Sequence, residues 1–133
     1  MQRPCFSRIA VLVPAGLVAV LFATQALAVK SFRDEFKAKY IKPDSQDAKD
    51  VALRDAFDSA GCNVCHAGES KEERNTYGKE LAKLLDRKAD AKNKEKIQAA
   101  LEKVAGMKSE PKDPKSPTFG ELIRQGKLPA GAK

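Results

Sequence analysis

Residues 62–66 read Cys-Asn-Val-Cys-His, and His66 is the only histidine among 133 residues. Two thiols so close together, with an imidazole directly after them, have to share one tight turn of backbone. Any fold this chain adopts must present that turn to whatever the three side chains bind. The rest of the sequence says where such a turn operates and how much core supports it.

The first residues point outward from the cytoplasm. Arg3 and Arg8 make a positive start, an apolar run follows from Ile9 to Ala23, and Ala26-Leu27-Ala28 has the form of a small-residue cleavage site. This is the layout of a secretory signal peptide over residues 1–28, with a mature chain starting at Val29 in the bacterial periplasm. The alternative is an uncleaved anchor, although Pro14 and Gly16 interrupt the run and it is short for a membrane span. Cys5 precedes the run and leaves with the signal, and no stable membrane insertion is expected after cleavage. Residues 29–133 are enough for one small domain.

Removing Arg3 and Arg8 from the 25 basic residues leaves 23 against 18 acidic ones, about +5 for the mature chain. The charges are interleaved, as in KSFRDEFKAK and KNKEK, which is the pattern of solvated helix faces. Export argues against nucleic acid as a partner; an acidic protein surface is compatible with this charge.

Beyond residue 28 there are only nine Val, Ile or Thr residues among abundant Ala, Leu, Lys and Glu. That balance favours helices over sheet. The spacing of Phe32, Phe36 and Tyr40 predicts a helix over 32–40 with Ser31 as its cap, stopped at Lys42-Pro43. A second helix is expected over 46–60, capped by Asp44 or Ser45, with Gly61 in the left-handed position past its end. A third is expected over 77–88 with Asn75 or Thr76 as cap, and a fourth over 94–105 with Gly106 as its stop. Pro111, Pro114 and Pro117 then make a stiff loop. Thr118-Phe119-Gly120-Glu121 matches a capping box opening a short helix over 119–125, closed by Gly126 and Pro129. The expected fold class is all-α. Six aromatics in the mature chain give a thin core, and a small domain of this kind commonly needs a staple.

One chemistry uses all three motif side chains. Each cysteine sulfur can add to a haem vinyl group, and the imidazole of the next residue can reach the iron. A structural zinc wants four ligands, more than two cysteines and one histidine supply. A thioredoxin-like pair wants a βαβ context. A structural disulfide across so short a loop is geometrically poor and leaves His66 without a role. The reading is one covalent haem c, with Cys62 and Cys65 as thioethers and His66 as an iron ligand.

"AFDSAGCNVCH" resembles the haem-attachment stretch of the class I c-type cytochromes, with Phe57 five residues before the first cysteine and Gly61 immediately before it. The resemblance implies a small cytochrome c-like helical domain over 29–133 wrapped around one haem, His66 as proximal ligand, and electron transfer rather than enzymatic turnover. Leu53 stands where that family usually carries glycine, and the final helix is shorter than usual. Met107 follows His66 by 41 positions, in the order the family uses for a distal ligand. A thioether there raises the reduction potential. The alternatives for the distal face are a core-filling role for Met107, with lysine, Tyr77 or an open position on the iron. Tyr77 and Asn75 could hydrogen-bond a haem propionate, though a helix cap is the simpler role for Asn75, and Arg74 and Lys79 either pair with propionates or are solvated surface charges. The implied partners are redox proteins, acidic ones fitting the charge. The alternative function is a haem-based binder of nitric oxide, carbon monoxide or peroxide, or an enzyme, with an open distal site.

Overall fold

The computed structural model describes residues 24–68, 70 and 72–130. They form α1 (Thr24–Tyr40), α2 (Ala48–Ala60), a 3₁₀ turn (Gly61–Val64), α3 (Thr76–Leu84), α4 (Lys94–Ala105) and α5 (Phe119–Arg124). Among the described residues β structure is limited to two isolated bridges, His66 with Arg74 and Lys108 with Thr118, so the all-α expectation holds. No helix among them is long and apolar enough to cross a membrane. The signal-peptide reading rests on residues 1–28, of which 1–23, including Cys5, lie outside the described residues.

Helix α4 keeps its expected bounds. Ile97, Ala100, Leu101 and Val104 are buried at helical spacing, and the Asn93 side chain accepts from the Lys96 amide at 3.0 Å to cap it. Packed against α1, α3 and α5, it forms the hub of the domain. Gly106 ends it in an ordinary right-handed conformation (φ −77°), not the left-handed one its identity suggests.

The other helices depart from the bounds their spacing predicts. α1 starts at Thr24 and not Phe32, so Ser31 lies inside it; residues 24–30 contain Ala, Leu and Gln but neither proline nor glycine, and nothing stops the helix there. α2 is capped by Asp47, which accepts from the Lys49 amide at 2.8 Å. Ser45 instead donates its hydroxyl to Asp50 at 2.6 Å and accepts from the Asp47 amide at 3.2 Å. α3 ends at Leu84 because Asp86 and Asp90 build a turn. Asp86 accepts from the Lys88 and Ala89 amides, and Asp90 accepts from the Asp86 amide and the Lys96 ammonium, the last at 2.7 Å. Lys88 is accordingly exposed and outside the helix. α5, with its Thr118–Glu121 capping box, ends one residue earlier than expected.

The core is a column of rings. Phe36 stacks on Phe57 with centroids 5.6 Å apart, meets Tyr77 edge-on at 6.0 Å, and Tyr77 meets Phe119 at 5.2 Å. All four are fully buried, and each comes from a different helix. Of the aromatic stripe on α1, Phe36 is in the core while Phe32 and Tyr40 are half-buried against it. Tyr40 donates its hydroxyl to the Leu101 carbonyl at 3.2 Å, tying α1 to α4. The C-terminal segment closes over α2: Gly126, at φ +79°, approaches Lys49 so nearly that a Cβ would lie 2.7 Å from its carbonyl oxygen. Leu128 and Pro129 are buried beyond it.

Four carboxylates are held below their ordinary range. Asp50 is lowered by the Ser45 hydroxyl and then Lys42, and Asp86 by the Ala89 and Lys88 amides. Asp90 is lowered by Lys96 and then the Asp86 amide, and Glu121 by the Thr118 amide and then its hydroxyl. A depressed folded-state value contributes stability that is fully present above the unfolded value, near pH 4, and is lost as pH falls through the folded value. Asp90→Asn is therefore expected to lower the thermal midpoint at pH 7, with the difference from wild type shrinking toward zero at about pH 2. Thermal unfolding across that range, followed by circular dichroism, checks it.

Candidate functional site

The site begins where α2 ends. Gly61, at φ +56°, turns the chain out of the helix, and its amide still donates to the Phe57 carbonyl. Only glycine enters this region freely, so the residue before Cys62 is fixed by backbone geometry. The Gly61 carbonyl accepts from Arg33 Nε at 3.2 Å, and the same guanidinium lies 4.2 Å over the Phe57 ring. One side chain of α1 thus holds both the ring and the exit of α2.

In the following turn the Cys62 carbonyl accepts from the amides of Cys65 (3.2 Å) and His66 (3.1 Å). Cys62, Cys65 and His66 are thereby gathered on one turn, with Val64 buried beneath as its anchor. Both thiols are free; Cys62 is exposed and Cys65 half-buried against the core. Burial, and then the neighbouring Cys62, push the Cys65 thiol up to about 12. Among the described residues no three His, Cys, Asp or Glu side chains group to hold a metal ion.

The chain returns antiparallel to the motif. The Ala67 amide donates to the Glu73 carbonyl at 3.0 Å and the Asn75 amide to the Cys65 carbonyl at 3.2 Å. His66 Nδ1 lies 3.2 Å from the same Glu73 carbonyl. A carbonyl oxygen only accepts, so this contact places a proton on Nδ1, and in the tautomer it selects Nε2 keeps the lone pair. That arrangement orients a ligating imidazole.

Asn75 locks the turn to α3. Its Oδ1 accepts from the Gly78 amide at 2.9 Å as the helix cap, and its Nδ2 lies within donating distance of the carbonyls of Asn63 (3.0 Å), Val64 (3.1 Å) and His66 (3.3 Å). The amide has only one orientation that meets all of these partners. Gly78 completes the clasp, because a Cβ there would overlap the Cys65 carbonyl. The cap role of Asn75 is visible in sequence; its hold on the motif is not, nor are those of Arg33, Gly78 and the Glu73 carbonyl.

Met107 sits elsewhere, half-buried on the same core, at the neck of the proline-rich loop. Its carbonyl accepts from the Phe119 amide at 3.0 Å. Beyond it Ser109 donates to the Pro117 carbonyl from its amide (2.9 Å) and hydroxyl (2.8 Å), and Lys108 Nζ donates to the Ser116 carbonyl at 2.7 Å. Arg74 and Lys79 are exposed.

The donor set can be tested against a covalent haem. Two free thiols share one turn with a histidine whose Nε2 has no partner among the described residues, and one buried hydroxyl, that of Tyr77, has no hydrogen-bond partner. These residues fit such a group. Compared with known proteins, the chain matches no family model, no curated protein and no solved structure.

If Asn75 fastens the motif as well as capping α3, Asn75→Ala lowers unfolding free energy by roughly 2–4 kcal/mol. Asn75→Asp should be no better than Ala, since a carboxylate keeps the cap acceptor but turns an oxygen toward the three carbonyls. A residue acting only as a cap would tolerate Asp. Urea unfolding of the three proteins separates the two roles.

Proposed function

We propose that this chain is an electron-transfer protein carrying one covalently attached haem c, exported to the periplasm after loss of residues 1–28. The observation that carries the reading is the placement of His66 on one turn with two free thiols, its Nδ1 at the Glu73 carbonyl and its Nε2 left for iron. When bound, the haem supplies one-electron chemistry between ferric and ferrous iron. Cys62 and Cys65 would hold it covalently, and His66 would ligate its iron. The Glu73 carbonyl and Asn75 fix that imidazole, so that its position does not change with the charge on iron.

Met107 is the proposed distal ligand. Its support is mechanical: the Phe119 amide, the Ser109–Pro117 pair and Lys108 close the loop at its neck. A thioether held this way favours the reduced metal and occupies the position an external ligand would need. The mature chain's positive charge suits encounters with acidic redox proteins, which weaken as salt rises.

Cys62→Ala combined with Cys65→Ala is expected to yield no haem that survives acid-acetone extraction, whereas wild type retains it. Haem that is fully extractable from the wild-type exported protein would overturn the reading. Met107→Ala is expected to abolish the weak long-wavelength sulfur-to-iron band, lower the reduction potential and admit carbon monoxide to the ferrous protein. A wild type that is high-spin and binds carbon monoxide rapidly would instead favour a ligand-binding role with an open distal position.

A further inference from the structure

Among the described residues Arg33 forms no ion pair, although it is half-buried. Its partners are neutral: the Gly61 carbonyl accepts from Nε at 3.2 Å, and the Phe57 ring lies 4.2 Å from the guanidinium. Glu35, two residues on, is turned instead to Gln98 at 2.7 Å and Lys94 at 3.7 Å. Taking a cation partly out of water costs free energy, which a carbonyl and a ring face offset only in part. A side chain needed only to bridge α1 and the end of α2 could do so uncharged, since glutamine also donates to a carbonyl.

The position of Arg33 says what its charge faces. Gly61 directly precedes Cys62, and Phe57 is the ring of α2 that leads into the same turn. Held by one hydrogen bond and one ring face, a planar guanidinium is less free to swing into solvent than a lysine ammonium. The proposed haem would attach at Cys62, one residue from the carbonyl that fixes this charge.

We infer that Arg33 is a positioning residue that raises the reduction potential of the haem as well as bracing its attachment turn. This rests on the haem reading above. Ferric iron carries one more positive charge than ferrous iron, so a fixed cation beside the group disfavours the ferric state. Salt screens a partly buried charge less than an exposed one.

The test uses the haem-loaded wild type, Arg33→Gln, Arg33→Lys and, as a control for net charge, Lys92→Gln at an exposed lysine between α3 and α4. Gln keeps a donor for the Gly61 carbonyl and loses the charge; Lys keeps the charge and loses the planar fork. Covalent haem in the wild type is established first by extraction; its absence removes the haem reading itself, and this inference with it, before any variant is compared. With haem present, redox titration of Arg33→Gln is expected to give a lower midpoint potential than wild type, at low and high salt alike. Arg33→Lys should stay near the wild-type potential while losing thermal stability, and Lys92→Gln should leave the potential unchanged. A wild-type potential in Arg33→Gln overturns the inference, as does an equal fall in Lys92→Gln. So does an Arg33→Lys protein whose potential falls as far as that of Arg33→Gln, or failure of both Arg33 variants to attach haem, since either result makes Arg33 a brace alone.

Discussion

The Asn75 side chain fastens the motif turn to the start of α3. One end of its amide starts α3, and the other faces three carbonyls of the turn that carries Cys62, Cys65 and His66. A short 3₁₀ turn has poor internal hydrogen bonding and leaves carbonyls pointing outward. Without a donor from outside, Asn63 and Val64 would have to turn those carbonyls to water, and the cysteines would move with them. The Gly78–Cys65 contact depends on the same bond, because the helix can come that close only if its first turn is already anchored to the motif.

The aromatic column makes the clasp matter for the whole domain. Phe57 stands just before the turn and Tyr77 just after it, and Phe36 touches both rings. Moving the turn relative to α3 would separate Phe57 from Tyr77 in a core with few other large side chains. In a close-packed interior such displacement is felt at once. Arg33 braces the other side, its guanidinium on the Phe57 ring and its Nε on the Gly61 carbonyl.

What the sequence discloses follows from how local each determinant is. The bounds of α4 are legible because four apolar residues keep one period between a Lys-rich start and a glycine. The capping box of α5 is legible because both partners lie within four residues. The start of α2 is misplaced by competition among Asp44, Ser45 and Asp47, which only the Ser45–Asp50 bond decides. The end of α3 is misplaced because Asp86 and Asp90 act through side-chain turns and a Lys96 ammonium on another helix. Within the candidate site, residue types are plain from the motif alone. Their fastening is not, since Arg33, Glu73 and Asn75 act across separations that periodicity does not register.

The short final helix looks, in sequence, too weak to hold a loop with three prolines, yet the structure gives it a different task. α5 has only six residues, and its first amide, Phe119, donates back to the Met107 carbonyl. The prolines limit the loop's freedom before folding, and Ser109, Ser116 and Lys108 satisfy its carbonyls from within. The helix therefore needs only to anchor a loop that already closes on itself, and it does so through the buried ring of Phe119. That ring packs on Tyr77, whose helix holds the motif. Met107 and His66 are thus fastened to the two ends of one aromatic contact.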